Sequence, residues 1–385
     1  MDFLKYVAGA YIVLFCFVLF VGFFFRIKVG LAYRIAVILL ALSAAVFAFR
    51  FEPGIGLDLY RLQRYVQSVN FSGTNFWASI WGAEGLLGGI SLSGMVSFNL
   101  LCYVVRFLGD IHWLSTISVL FTIGVLLSIL VDFVIDTGFS SREFGVGTIL
   151  TFMGMQLQYV FSGIRNSMAV AAVVLGLYLL LYKKRPAVLP TVLFLVGATM
   201  HPSVLILLVP VLLCRIKYQN IVRGVCLFAI PLIFMLPNIL RSIPFPFFQY
   251  LGNRIVFYQN VEYQYDRPEM IANILIFAVV GLVVWVNRRR GKFDVQEGLE
   301  TLYLNAYFIL GFIMIGCSVH RDFALRIGYL MGIMAIPIVS RLYFADESQS
   351  YKLSPTAFVL SGTILVCAAK VYYDTIVGFS HWTFL

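Results

Sequence analysis

Arg165, His201, Arg321 and Arg326 stand at the ends of long apolar runs. A cation is costly to keep there unless it has a polar client. Arginine's planar fork of N–H donors suits two-point contact with phosphate or carboxylate better than a lysine point charge does. The chemistry these residues point to is recognition of an anionic group at a membrane interface. Phe161-Ser162-Gly163-Ile164-Arg165-Asn166 lies where a tight turn between two apolar runs is needed, with Gly163 to permit it. Arg165 and Asn166 then open a helix whose N-terminal amides also favour an anion. A snorkelling arginine beside a helix cap would read the same way.

His201 precedes Pro202 at the junction of two short apolar runs, near an interface. A histidine there is either a structural hydrogen-bonding residue or, as a neutral imidazole facing a cavity, the base for an attacking hydroxyl such as a sugar's. Gly54 to Tyr65 directly follows an apolar run. With Leu57 onward helical, Asp58, Arg61 and Tyr65 fall along one side, within i to i+3 and i+4 reach. Asp58 is then a salt-bridge partner or a second candidate base. In His320-Arg321-Asp322-Phe323-Ala324-Leu325-Arg326-Ile327-Gly328-Tyr329, Asp322 pairs with one arginine and leaves the other free. Arg326 and Tyr329, three apart, can face one site together.

The elements that must position these residues follow from composition. Hydrophobic residues make up 61% of 385 and charged ones 12%, with a mean hydropathy of +0.93. No soluble domain has this balance. The runs are too long and too poorly alternating for barrel strands, so the backbone must satisfy itself in helices. The expected fold is all-α: a single polytopic transmembrane domain over 1–385. The spans expected are Phe3–Phe25, Tyr33–Phe49, Trp113–Phe133, Val146–Phe161, Asn166–Tyr182, Ala187–Met200, Pro202–Cys214, Ile221–Asn238, Ile271–Val286, Leu302–Ser318, Ile327–Tyr343 and Thr356–Ile376, about 12 in all. The first reads as a retained span, since no small-residue cleavage site follows it. Cys16, Cys102, Cys214, Cys226, Cys317 and Cys367 are scattered through apolar stretches and read as small hydrophobes, with no metal or disulfide spacing.

Basic loops orient the spans. Arg26, Lys28 and Arg34; Lys183, Lys184 and Arg185; Arg215 and Lys217; and Arg288, Arg289, Arg290 and Lys292 belong on the cytoplasmic side. Alternation then puts outside Arg50 to Trp113, the turn at Ser162 to Arg165, the turn at His201, Ile239 to Met270, Val319 to Arg326 and both termini. It holds only if Leu86 to Leu108 does not cross. That stretch is diluted by Gly88, Gly89, Ser91, Ser93, Gly94, Ser97 and Asn99, and Phe98, Leu101, Val105 and Leu108 give it one apolar helical face. It is expected to lie in, or re-enter, the outer leaflet; an ordinary span is the alternative.

The outer face then holds Arg50, Arg61, Arg64, Arg165, Arg241, Arg254, Arg267, Arg321 and Arg326 with His201 and His320. Outer loops normally carry few Lys and Arg, so these are kept against the topological trend. Anionic lipid headgroups would also attract them. The formal charge of +10 is shared with the cytoplasmic loops and does not by itself discriminate. There is no Walker loop, Rossmann fingerprint, zinc-protease helix or close acidic pair for a metal with a nucleotide sugar. No metal, cofactor or nucleic-acid partner is expected.

Gly56-Leu57-Asp58-Leu59-Tyr60, Gly163-Ile164-Arg165-Asn166, His201-Pro202-Ser203 and Arg326 with Tyr329, in this order, resemble the motifs of the EpsG family. The resemblance runs from about Arg50 to Arg341. It departs where the family usually has Thr or Ser in place of Leu57 and Gln in place of Asn166, and the family's Glu-Pro has no clean counterpart at Glu84-Gly85. The resemblance implies a Wzy-type polysaccharide polymerase, an integral-membrane glycosyltransferase of the GT-C class with a GT-C-like fold, in a bacterial cytoplasmic membrane.

The implied reaction, at the outer face, moves a glycan from a polyprenyl diphosphate to the terminal sugar of another lipid-linked unit, as in exopolysaccharide, capsule or O-antigen assembly. Donor and acceptor are both polyprenyl diphosphate-linked oligosaccharides; membrane lipids and a chain-length regulator protein are the other partners considered. Arg165, Arg321 and Arg326 would hold the diphosphate, His201 or else Asp58 would take the hydroxyl proton, and Tyr60, Arg61, Arg64, Asn166 and Tyr329 would position substrate. Outer loops 50–113 and 239–270 would bind it. A ligase of the same chemistry and a flippase or exporter that binds the lipid diphosphate without catalysis are the alternatives; only an enzyme needs a base.

Overall fold

The computed structural model describes residues 31–53, 58–68, 80, 86–87, 90–91, 94–137, 160–228, 237–244, 248–249, 252–253, 256, 267–289, 299–317, 324, 327–328, 330–332, 334–335, 338 and 383–384. The expected spans Phe3–Phe25 and Thr356–Ile376, and most of Val146–Phe161 and Ile327–Tyr343, lie outside the described residues. The chain forms two compact units, residues 1–206 with 371–385, and residues 207–370.

In the first unit, α1 (Leu31–Phe49) and, after β1 (Phe51–Glu52), the short α2 (Asp58–Ser68) lead to a hairpin of β2 (Leu86–Leu87) and β3 (Ile90–Ser91). Then come α3 (Val96–Leu108), α4 (Trp113–Thr137), α5 (Ile164–Leu177) and α6 (Val188–Met200). α1 lies along α4, α4 along α5, and α5 along α6. Trp113–Phe133 and Ile164–Tyr182 are long and apolar enough to cross a membrane. The expected starts and ends of these helices lie within a few residues of the observed ones, because each apolar run stops at a polar or charged residue.

α5 is buried on every side except at Leu175, as befits a helix enclosed by neighbours. Close approach of α6 uses glycines on both helices, Gly176 against Phe194 and Gly197 against Val173. A Cβ at Gly197 would sit 2.6 Å from Val173 Cγ2 and 3.0 Å from the Ala169 carbonyl oxygen, the small-residue contact that membrane helix pairs favour. Gly197→Val is therefore expected to force the pair apart and cost about 1–3 kcal/mol. A thermal midpoint in detergent equal to wild type would show that the helices separate at no cost.

At its far end α5 widens into a π turn, Tyr178–Tyr182. Tyr178 stacks on Tyr182 with ring centroids 5.0 Å apart and donates its hydroxyl to Asp132 Oδ2 at 2.8 Å. Lys183 Nζ lies 2.7 Å from the same oxygen, and Lys184, at φ 51°, turns the chain toward α6. The basic loop at Lys183 is thus tethered to the end of α4.

α2 and α3 are short. α3 has 13 residues, about 20 Å at 1.5 Å per residue, against a hydrocarbon thickness of about 30 Å. Two features depart from expectation. The stretch from Leu86 begins as a hairpin, so the helix starts only at Val96; its Gly and Ser residues favour turn over helix. Phe98, Leu101 and Val105 are buried as expected, but Leu108 is 45% exposed. Helix α3 ends there, and Gly109, at φ 80°, supplies the left-handed cap. Asn99 and Cys102 are fully buried beside that face.

β4 (Thr383–Phe384) pairs antiparallel with β1, Phe51 opposite Phe384 and Glu52 opposite Thr383. Residues 383–384 therefore lie at the C-terminal end of α1, beside the start of the loop from Arg50.

In the second unit, α10 (Leu299–Gly316) contacts α7 (Leu208–Leu213), α8 (Gln219–Leu227) and α9 (Arg267–Arg289). Arg223 Nη2 donates to Asn305 Oδ1 at 2.9 Å, and its guanidinium lies 4.9 Å over the Phe308 ring. Gln219 Nε2 donates to the carbonyls of Leu213, Cys214 and Ile216 at 3.1, 3.0 and 2.6 Å, closing the turn before α8. The expected span Pro202–Cys214 is instead a 3-10 turn, Pro202–Leu207, followed by the short α7. Cys102, Cys214, Cys226 and Cys317 are free and buried, as their apolar surroundings imply.

Candidate functional site

Arg165 sits in the first turn of α5. The preceding turn at Ser162 and Gly163 needs no left-handed residue, since Gly163 has φ −80°; the freedom expected of this glycine is not used. At the helix start the N–H groups of Asn166 and Ser167 donate to the Gly163 carbonyl at 2.9 and 3.0 Å, while those of Ile164 and Arg165 precede the first intrahelical bond.

The Arg165 side chain is 8% exposed. Its guanidinium carbon lies 5.3 Å over the Phe98 ring, Nη1 is 3.9 Å from Met95 Sδ, and Nη2 is 3.6 Å from Asp58 Oδ2. Nε has no hydrogen-bond partner among the described residues. None of these contacts is an N–H···O bond of ordinary length, about 2.7–3.2 Å. A buried cation is expensive unless paired and hydrogen-bonded, and among the described residues this fork has only the long contact with Asp58.

The surrounding elements hold it in place. Tyr65 of α2 stacks on Phe98 of α3, centroids 6.2 Å apart and planes at 23°. Its hydroxyl donates to Asn99 Oδ1 at 3.3 Å, while Asn99 Nδ2 donates to the Ile80 carbonyl at 2.9 Å. Burial pushes the Tyr65 phenol well above its usual range, against the pull of Arg165, so it stays a neutral donor. Ser97 and Thr199 share a hydroxyl hydrogen bond of 2.7 Å, linking α3 to α6.

His201 follows at the end of α6, half-buried and extended (φ −153°, ψ 111°), with its N–H on the Gly197 carbonyl at 2.9 Å. Ala169 and Gly197 meet where the antiparallel α5 and α6 touch. One turn beyond Gly197 is His201, and one turn before Ala169 is Arg165, so both stand at the same end of the helix pair.

Asp58, Arg165, Asn166 and His201 are thus brought to one end of the first unit, with Asp58 joined to Arg165. Helix α2 carries Asp58, Arg61 and Tyr65 along one side as expected, but the three do not share one environment. Tyr65 is buried against α3, Arg61 is exposed, and Asp58 pairs across to α5 instead of along its own helix. Arg64 is exposed and donates to the Tyr60 hydroxyl from Nη2 at 3.2 Å, with its guanidinium 5.5 Å over that ring. Asn166 is buried. Arg321, Arg326 and Tyr329 lie outside the described residues. Met95 and Asn99 are site neighbours that no local pattern singles out, whereas the helical period marks Phe98 without showing that Arg165 covers it.

The EpsG family profile matches residues 33–382, nearly the whole chain and every described element of the site. The chain belongs to the EpsG family. EpsG is a Wzy-type polymerase-like family, and with its apolar helices this member is a membrane protein. Neither a curated protein nor a solved structure matches it.

A second polar cluster of this EpsG chain was not foreseen. His112, just before α4, has Nδ1 2.7 Å from Asp110 Oδ1 and Nε2 2.9 Å from Glu52 Oε1. Asp110 Oδ1 also accepts the His112 backbone N–H at 2.9 Å. The signal available in the sequence was Asp-x-His directly before an apolar run, a local capping arrangement; Glu52 is remote and invisible to it. Burial works against a charged His112, but the hydrogen bonds and charges of Glu52 and Asp110 outweigh it, so its pKa is raised. Burial likewise opposes ionisation of Asp110, yet its bonds to His112 win and lower its pKa.

The sign of the pH dependence follows. The histidine's contribution is full below its unfolded value, about 6.5, and is lost as pH rises through the raised folded value. The aspartate's is present above its unfolded value and is lost as pH falls through the lowered one. The thermal midpoint in detergent should fall on raising the pH from about 6 toward 8, and His112→Ala should flatten that slope. An identical slope in the variant would remove His112 as its origin.

Proposed function

We propose that this EpsG-family protein polymerises lipid-linked oligosaccharide repeat units at the outer face of a bacterial cytoplasmic membrane. The donor is a glycan on a polyprenyl diphosphate, and the acceptor is the terminal sugar of a second lipid-linked unit. An acceptor hydroxyl oxygen attacks the donor's anomeric carbon; the bond from that carbon to the diphosphate breaks, and its electron pair leaves on the diphosphate oxygen. His201 takes the hydroxyl proton. Arg165 binds the diphosphate and stabilises the charge that develops on it, an electrostatic role that is strongest where water is excluded.

The observation that supports this reading is the buried guanidinium of Arg165, whose N–H donors make no oxygen hydrogen bond of normal length among the described residues. Asp58 serves as its counter-ion until the diphosphate displaces it; this leaves His201 as the base. Tyr60, Arg61 and Arg64, on the solvent side of α2, and Asn166 beside Arg165 position substrate. Arg321, Arg326 and Tyr329 carry a matching expectation from the sequence and are tested by the same assay.

The test is purified protein in nanodiscs with lipid-linked repeat units and no nucleotide. Longer glycans on the lipid, with release of polyprenyl diphosphate, are expected. Tight binding of the units with no elongation over long incubation would instead favour transport without chemistry, and transfer only to a different acceptor would favour a ligase.

A further inference from the structure

We propose that Phe98 is a positioning residue for Arg165, stabilising the guanidinium from its face so that the in-plane N–H donors stay available for two oxygens of a phosphate group. The inference rests on the diphosphate-binding role given to Arg165 above and extends it to a residue of α3.

A buried arginine can be stabilised in two ways. Carboxylates and carbonyls in its plane accept its N–H groups and leave little for a ligand. An aromatic face attracts the cation through the ring quadrupole and accepts none of them. Arg165 has the second arrangement. Phe98 is fully buried and lies 5.3 Å under the guanidinium carbon, while Met95 offers a weak sulfur acceptor at 3.9 Å. Asp58, the one charged partner among the described residues, is 3.6 Å away on a side chain 41% exposed, free to withdraw into water.

The ring is itself fixed from two directions. Tyr65 stacks on it and is anchored by the adjacent Asn99, which also holds the Ile80 carbonyl. On the other flank the adjacent Ser97 is bonded to Thr199 of α6, the helix that ends at His201. A ring held this firmly orients the planar ion above it, and a planar fork with fixed orientation is what two-point phosphate recognition requires.

The experiment replaces Phe98 with mono-, di- and trifluorophenylalanine, which weaken the ring quadrupole with little change of volume. Binding of a sugar-free polyprenyl diphosphate is measured in nanodiscs of zwitterionic lipid. Affinity should fall stepwise with fluorination, by roughly tenfold at trifluorophenylalanine, the size of a desolvated cation–π contact, with unchanged thermal midpoints. Phe98→Leu should bind as weakly as the trifluoro protein. Affinity flat across the fluorinated series, with Arg165→Ala unable to bind, would overturn the role of Phe98 alone. Binding by Arg165→Ala equal to wild type would instead overturn the diphosphate site and the inference built on it.

Discussion

Arg165→Ala is expected to abolish elongation, lowering the rate by at least about 10²- to 10³-fold, the cost of losing one preorganised electrostatic donor to a developing anion. The fold should survive. Removing the guanidinium uncovers no buried charge, because Asp58 is 41% exposed on its side-chain surface and can rehydrate. The neighbouring network of Tyr65, Asn99 and the Ile80 carbonyl does not use Arg165. Arg165→Lys should recover little, since an ammonium cannot present a planar fork to two oxygens. Elongation and thermal midpoint are measured on the same nanodisc samples. Full activity in Arg165→Ala would end the diphosphate assignment, and a collapsed midpoint would transfer the effect to folding.

His201→Ala is expected to cut turnover by about 10²- to 10⁴-fold, the range of general-base catalysis. Its effect should separate from that of Arg165. Binding of the sugar-free polyprenyl diphosphate should persist, because the base acts on the acceptor hydroxyl and not on the leaving group. His201 holds its helix junction through its backbone, with an N–H on the Gly197 carbonyl, so alanine keeps that bond. Turnover equal to wild type would exclude the base role. Asp58→Asn is the companion measurement: as a counter-ion that the substrate displaces, its loss should tighten binding of the diphosphate and spare turnover, whereas a base would lose turnover.

The site was partly legible because two kinds of signal are local. Charge against hydropathy marks Arg165 and His201 without any knowledge of neighbours, since a cation ending an apolar run is rare. Helical period marks Phe98, Leu101 and Val105 as one face, and all three are buried. The same period gave no partner. Asp58 was read with Arg61, three residues on, because along-helix reach is all that a single element reveals. In the fold, α2 packs so that Tyr65 turns inward and Asp58 reaches an arginine on another helix.

By itself, the sequence determined that this is a mainly helical membrane chain of the EpsG type, where most of the described helices run, and that Arg165 stands at the start of one of them. These follow from composition and period, which act residue by residue. Only the tertiary structure decided that Phe98 lies beneath Arg165, that Asp58 is its ion partner, and that Glu52 reaches His112. Each of these joins segments far apart in the chain. An apolar face or a buried charge states that something must cover it, and which group does so is set by how the helices meet.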